Sequence, residues 1–513
     1  MVSGRYGVRA QGRAWVWASA AAVSLCLALV GGLLLLLLSQ AAPHFWPRVV
    51  YAVEALEPQD TEQPLWGQLW RSEGEGDDAR WLMKIGRREA GPDFVYLQPP
   101  SMQELSRPSQ VAVWERREWG DLLGRLLAVY RDGERMAQGP RAWPWMLEMV
   151  RSAERQQTVI QSLKERRIPR LAASADPNER AEFLAAEAEL RRLQADLHED
   201  QLLIELADGS TTLLPAAEVV RAYRPNVMSL WDKTGWMLAS VWRFLSEPPR
   251  EANTEGGVFP AIVGTVLLVF SMTIFVAPLG VLAAIYLHEY ARNVWWVRLL
   301  RVTVHNLAGV PSIVYGVFGL GFFVYGLGGW LDQHFFAQSL PNPTFGTGGL
   351  LWASLTMALL TLPVVIVATE EGLARISPAL RQASFALGAT QAETLWKVVL
   401  PMVRPAMLTG LILAIARAAG EVAPLMLLGV VKLTPELPLD SALPFIHPER
   451  KFMHLGFHLY DVGFQSPNVE AARPLVYAVA FLLVLIVIAL NLFAVRLRHQ
   501  LRERYRHLEE TPG

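Results

Sequence analysis

The chain has 513 residues, 52% of them apolar, with 47 Lys and Arg set against 48 Asp and Glu. That apolar share is too high for a soluble chain of ordinary composition, and the charge balance excludes both the global basicity that points to nucleic acid and the acidity of a solvating tail. One cysteine, Cys26, excludes an internal disulfide; set in an apolar run, it is expected to be a small buried hydrophobe.

From Ala14 to Leu38 there is no charge, and the stretch exceeds the roughly 20 residues that cross a ~30 Å hydrocarbon core as a helix. Arg5, Arg9 and Arg13 precede it. It is longer than the roughly 7–15 residues of a signal-peptide apolar region and no clear cleavage site follows, so residues 14–38 read as a retained anchor with residues 1–13 in the cytoplasm.

Residues 39–256 are dense in charge and broken by Pro and Gly, the composition of a soluble extracytoplasmic domain. Trp81–Ile85 with Phe94–Leu97, and Leu202–Leu206 with Thr211–Leu214 around Asp208-Gly209, read as β-hairpins. Between them Met149, Ala153, Ile160 and Leu163 share one helical face, and Ala186, Leu190, Leu193 and Leu197 another. Asp176-Pro177 supplies a cap and first-turn proline for the second helix. A helical hairpin on a small β unit follows, with Glu187 and Arg191 on a solvated face. Trp231, Trp236, Trp242 and Phe244 then form an aromatic helix, expected at the outer membrane surface.

Five further spans are expected in residues 257–497, at Val258–Leu287, Val302–Leu327, Leu350–Thr369, Ala406–Val431 and Leu475–Val495. Six crossings put both termini on one side. Arg292, Arg298, Arg301, Arg375, Arg381, Lys397 and Arg404 fall in the segments then facing the cytoplasm, and the end of the last span with the tail at 498–513 adds Arg496, Arg498, Arg502, Arg504 and Arg506. The outer loop Gly328–Gly349 has no Lys or Arg, while the next outer loop has Lys432, Arg450 and Lys451. The expected fold is therefore an all-α polytopic membrane protein of six transmembrane helices carrying an inserted soluble α/β domain.

No G-x-x-x-x-G-K-[ST] loop, His-E-x-x-His site, Cys-x-x-Cys pair or G-x-S-x-G elbow occurs, so the chain is read as a non-enzyme without bound cofactor or metal site whose energy comes from a partner. The loop between spans four and five runs Gln382-Ala383-Ser384-Phe385-Ala386-Leu387-Gly388 and ends Val398-Val399-Leu400-Pro401. It reads as a helix, a glycine turn and a second short helix ended by proline. In that register it resembles the signature loop of the permeases of ABC importers. The resemblance implies a type I permease core, with this loop seated in a groove of an ATP-binding subunit. Gln382 stands where that family most often has Glu.

Arg417 and Glu421, in Ala416-Arg417-Ala418-Ala419-Gly420-Glu421-Val422-Ala423-Pro424, are two opposite charges at i,i+4 in the expected fifth span. Intramembrane charges are costly and by default mark function. A guanidinium offers five donors to an oxyanion, with Glu421 tempering its hold. The other reading is a buried ion pair that only orients helices. Asn306-Leu307-Ala308-Gly309-Val310-Pro311-Ser312 opens the third span, where Gly309 and Pro311 break a helix; free N–H groups there face an anion, or the break is a packing kink. The Arg417–Glu421 segment, Ile285–Tyr290 and Asn306–Gly316 resemble PstA-type phosphate permeases, with residues 39–256 found only in an extended variety.

What this resemblance implies is import of inorganic phosphate across the bacterial inner membrane. The implied partners are a second, PstC-like permease, two copies of a PstB-like ATP-binding subunit using ATP, a periplasmic PstS-like phosphate-binding protein and membrane lipid, with no nucleic acid. Another oxyanion (sulfate, molybdate or phosphonate) as cargo, or a membrane-bound phosphate sensor or scaffold, stays open beside it.

Overall fold

The computed structural model describes residues 5–55, 63–74, 80–86, 93–97, 105–168, 171, 177–250, 253–291, 294–434, 436–440, 445–466 and 469–509. They form two units, residues 45–243 and residues 1–44 with 244–513. The second unit opens with helix α1 (Arg5–Phe45). Most of its side chains from Trp15 to Leu36 are exposed, Cys26 among them. That corrects the expectation of a buried thiol: an apolar helix packed along little of its length turns its surface outward.

In the inserted unit, β1 (Val50–Ala55), β2 (Gln63–Glu73), β3 (Arg80–Lys84) and β4 (Phe94–Leu97) make a four-stranded antiparallel meander. A second sheet contains β5 (Val111–Arg116), β6 (Asp121–Arg131), β7 (Glu134–Gln138), β8 (Gln201–Glu205), β9 (Thr211–Pro215) and β10 (Val219–Tyr223). Its order is β10-β5-β6-β8-β9, with β7 also on β6. Both expected hairpins form, β3 with β4 (Trp81 opposite Leu97) and β8 with β9 (Leu202 opposite Leu214). The small β unit of the sequence reading is instead ten strands among the described residues. Val111 to Trp114 are all buried, so β5 lacks the alternation that announces a half-buried strand.

Helix α2 (Ala142–Ser162) buries Met146, Met149 and Val150 among Trp114, Leu202 and Ile204 of the second sheet. The expected face holds, with Met149, Ala153, Ile160 and Leu163 all buried. Gln156 Nε2 donates to the Leu193 carbonyl of α3 (Pro177–Asp196) at 3.1 Å; the cap expected at Asp176 lies outside the described residues. Glu187 and Arg191 meet at 3.5 Å with the arginine exposed, a contact worth a few tenths of a kcal/mol at ~0.3–0.5. In α4 (Leu230–Ser246) the aromatics divide. Trp231 and Trp242 are 86% and 70% exposed, while Phe244 is buried and Trp236 packs 4.3 Å from the Tyr223 ring beneath the Arg221 guanidinium. The spacing of Trp236 turns it to the sheet, while Trp231 and Trp242 stay exposed.

Among the described residues, six helical runs are long and apolar enough to cross a membrane: Trp15–Phe45, Phe259–Tyr290, Ser312–Phe335, Leu350–Ala374, Gln391–Gly420 and Ala472–Gln500. The second contains α5 (Phe259–Ile285). A separate helix, α6 (Trp295–Leu307), precedes the third run, which comprises α7 (Ser312–Phe318), wider turns over Gly319–Gly328 and α8 (Gly329–Phe335). The expected third span, Val302–Leu327, is thus displaced: Arg298, Arg301 and His305 make α6 amphipathic, and Pro311 starts a new helix. The fourth run is α9 (Leu350–Ala374). After α10 (Pro378–Ala386), the fifth run joins α11 (Gln391–Thr394), wider turns over Leu395–Val399 and α12 (Leu400–Gly420).

The fifth span is displaced too, ending at Gly420 instead of continuing to Val431. Glu421 is extended (φ −82°, ψ 131°), and Pro424 cannot support an α-helical continuation. A short helix α13 (Leu455–Tyr460) and the long α14 (Val469–Glu509) complete the unit. Helix α9 is its centre, packing on both α5 and α12; Leu268, Met272, Met357, Leu360, Ala414 and Leu425 are buried around it.

Candidate functional site

Two places collect the residues singled out in the sequence. At the first, α12 stops and the chain turns back into the core. Arg417 Nε lies 3.6 Å from Glu421 Oε1, with side chains 31% and 24% exposed. The charges therefore do not stand mid-helix as expected: Arg417 is in the last turn, where a cation complements the helix dipole, and Glu421 follows the helix. Beyond it Leu425 is fully buried, and Pro424 lies against α7 at Gly316, where an added Cβ would come 2.8 Å from Pro424 Cα.

The start of α7 is the other half of this place. Tyr315 Oη donates to the Leu307 carbonyl at 2.7 Å, so the hydroxyl spans the break between α6 and α7. A helix does break at Gly309 and Pro311, but the Gly309 and Val310 amides donate to the carbonyls of Asn306 (3.0 Å) and Leu307 (3.2 Å). The N–H groups expected to face an anion are thus spent closing the turn. The first turn of α7, from Ser312, is where a helix leaves N–H groups without intrahelical acceptors. Asn306, Gly309 and Pro311 are exposed and Ser312 is half-buried.

The second place is the loop between spans four and five. Ser377 caps α10 by accepting from Ala379 N at 3.3 Å. Gly388 makes the turn at φ +85°, a conformation that L side chains rarely adopt, and Thr390 with Glu393 forms a capping box on α11. The Ser384 and Thr394 hydroxyls meet at 2.8 Å across the turn. Gln382 and Ala383 are exposed, Leu387 and Trp396 are 90% and 65% exposed, and Val398 is half-buried. Leu400 is buried with Leu395, Val399 and Val403 against Ile285, Leu373 and Ile376.

Pro401 does not end a helix, contrary to the sequence reading. It sits in the first turn of α12 after the wider turns, where Leu400 N donates five residues back to Leu395. That register leaves room for a residue without an N–H. One link was missed altogether: Arg381 reaches Glu289 at 2.7 Å, tying α10 to the end of the run that begins with α5. Nothing in local spacing announces a pair so far apart in sequence. Among the described residues no group of three or more His, Cys, Asp or Glu side chains is placed to hold a metal.

A family model described as "Binding-protein-dependent transport system inner membrane component" matches residues 276–507. The probable phosphate transport system permease protein PstA of Methanocaldococcus jannaschii is 31% identical over 254 residues, 49% of this chain and 78% of that protein. The phosphate transport system permease protein PstA 1 of Mycobacterium tuberculosis (strain H37Rv) is 32% identical over 317 residues, 58% of this chain and 89% of that protein. The probable ABC transporter permease protein YqgH of Bacillus subtilis is 34% identical over 196 residues, covering 38% of this chain and 59% of that one.

Proposed function

The chain belongs to the family of inner-membrane components of binding-protein-dependent transport systems, and from that premise we propose that the cargo it passes is inorganic phosphate. As a permease component it performs no chemistry of its own. The observation that carries the choice of cargo is the Arg417–Glu421 pair, 3.6 Å apart where α12 ends. Helix ends inside a bundle are where a membrane protein can offer charge and backbone groups to a solute without exposing either to lipid.

In this reading the guanidinium receives the oxyanion with several donors, and Glu421 keeps the hold weak enough for release. The first turn of α7 completes the cradle. The PstA names of two relatives support phosphate over other oxyanions.

The loop of Gln382, Ala383, Ser384, Gly388, Val398, Leu400 and Pro401 would seat in an ATP-binding subunit. Its exposed tip at Leu387 and Trp396 offers the contact, and its buried base at Leu395, Val399 and Leu400 keeps it from absorbing the push. The assembly would contain a PstC-like permease, two PstB-like ATP-binding subunits and a PstS-like binding protein outside, with both termini cytoplasmic and residues 39–256 periplasmic. Arg417→Gln tests the cargo site: uptake of labelled phosphate should fall to the level of cells lacking the subunit, with assembled complex recovered at normal yield. Normal accumulation in that variant overturns the assignment.

A further inference from the structure

Helices α5 and α12 both pack on α9. Gly280 brings α5 so close that an added Cβ would lie 2.7 Å from Val365 Cγ1, and Gly410 brings α12 equally close to Ala368 Cβ. Between these contacts opens a cavity of about 490 Å³. Val365 is its floor, Ala277 and Val281 one wall, and Met407, Leu408 and Leu411 the other, with Arg404 lining the same space. The Arg404 end is where Val281 and Ile285 meet Leu395, Val399 and Val403, so it lies toward the loop that follows span four.

We infer that this cleft binds an anionic phospholipid, one acyl chain lying over Val365 between α5 and α12 and the phosphate resting on the Arg404 guanidinium. The walls belong to helical runs long and apolar enough to cross a membrane, and their Ala, Val, Met and Leu side chains suit an acyl chain. The volume falls within the ~300–1,000 Å³ of ligand pockets. An arginine can lay its stem along an apolar wall and set its fork at the headgroup level, where two parallel N–H bonds suit a phosphate.

A free anion fits poorly, because the wall residues other than Arg404 carry no hydrogen-bond donor in their side chains to replace its water. Nor is this the Arg417 site: thirteen residues along α12 turn Arg404 about 140° away from Arg417 at ~100° per residue. The inference needs only that the helices span a membrane, and stands apart from the choice of cargo.

The test uses the assembled complex, delipidated in mild detergent, then titrated with phosphatidylglycerol and read by native mass spectrometry. One phosphatidylglycerol per copy of this chain is expected, with phosphatidylcholine held more weakly. Arg404→Gln should weaken binding at least tenfold. Leu408→Trp, which fills the cleft but keeps the guanidinium, should do the same, and Val281→Phe replaces it if that variant does not assemble. Equal retention by the Arg404 variant and a cleft-filling variant overturns the inference. So does displacement of the lipid by millimolar inorganic phosphate, or a cross-link from position 408 to a second permease with no lipid retained.

Discussion

Lys84 and Asp121 of the inserted unit meet at 2.7 Å with side chains 10% and 17% exposed, whereas His458 of the helical unit is buried with neither ring nitrogen bonded. The contrast extends further. Arg221 is answered by Glu115, and Arg116 by the carbonyls of Trp119 and Gly120. In the helical unit the hydroxyls of Ser354, Thr356 and Thr369 on α9, and Oδ1 of Asp461, whose other oxygen meets Asn253 and Lys432, are buried without a hydrogen-bond partner among the described residues. A buried polar group left unmade costs about 1–3 kcal/mol; the inserted unit leaves Gln157 Oε1 in that state, but its charges at Lys84, Arg116 and Arg221 are each answered in one arrangement. The helical unit keeps hydrogen-bonding capacity in reserve for water or for a second packing.

The sharpest way to break this contrast is to orphan a charge in the inserted unit. Lys84→Met leaves Asp121 without its cation and should cost about 3–5 kcal/mol, read by pulse proteolysis of residues 45–243 in the full-length protein. Undiminished resistance would mean that the pair is ornamental and the contrast empty. Acid probes the other side. Burial lowers His454 and His458 to about 4, below the ordinary value near 6.5. The unfolded chain therefore binds protons first: the stability is present above about pH 6.5 and lost as pH falls toward 4, by at most about 3 kcal/mol per histidine. Thermal unfolding of the detergent-solubilised protein at pH 7 and pH 4.5 reads it, and His454→Asn with His458→Gln should flatten the dependence. A midpoint equally acid-sensitive in the double variant would assign the effect elsewhere.

The smallest effect is expected at the charge pair that ties α10 to the end of the α5 run. Arg381→Glu should slow uptake of the proposed cargo, phosphate, about tenfold, equivalent to ~1.4 kcal/mol. Adding Glu289→Arg should restore it if the 2.7 Å pair is what links α10 to the end of the α5 run. Failure of the exchange to rescue would leave the loop held by Leu395, Val399 and Leu400 alone.

Hydropathy located the spans wherever an apolar run is also a continuous helix, as at Leu350–Ala374. It misplaced those in which apolar chain leaves the helix inside the core. Val422 to Val431 reads as membrane helix by composition, yet Gly420 and Pro424 break it and other segments of the unit bury Leu425 and Leu428. The loop motif was legible because Gly388 and the exposed residues Gln382, Ala383 and Leu387 depend on local geometry. The tie from Arg381 to Glu289 was not, since it arises only when distant segments pack.

The contact of Gly316 with Pro424 bears on how such a chain can drift. Where two side chains touch, a change in one is absorbed by a new rotamer in the other; here a glycine meets a ring and its carbonyl, and neither has a rotamer to give. A methyl group gained at 316 would have to be matched by a shift of the whole strand of backbone behind Glu421. Lineages should therefore change these two segments together or leave both alone.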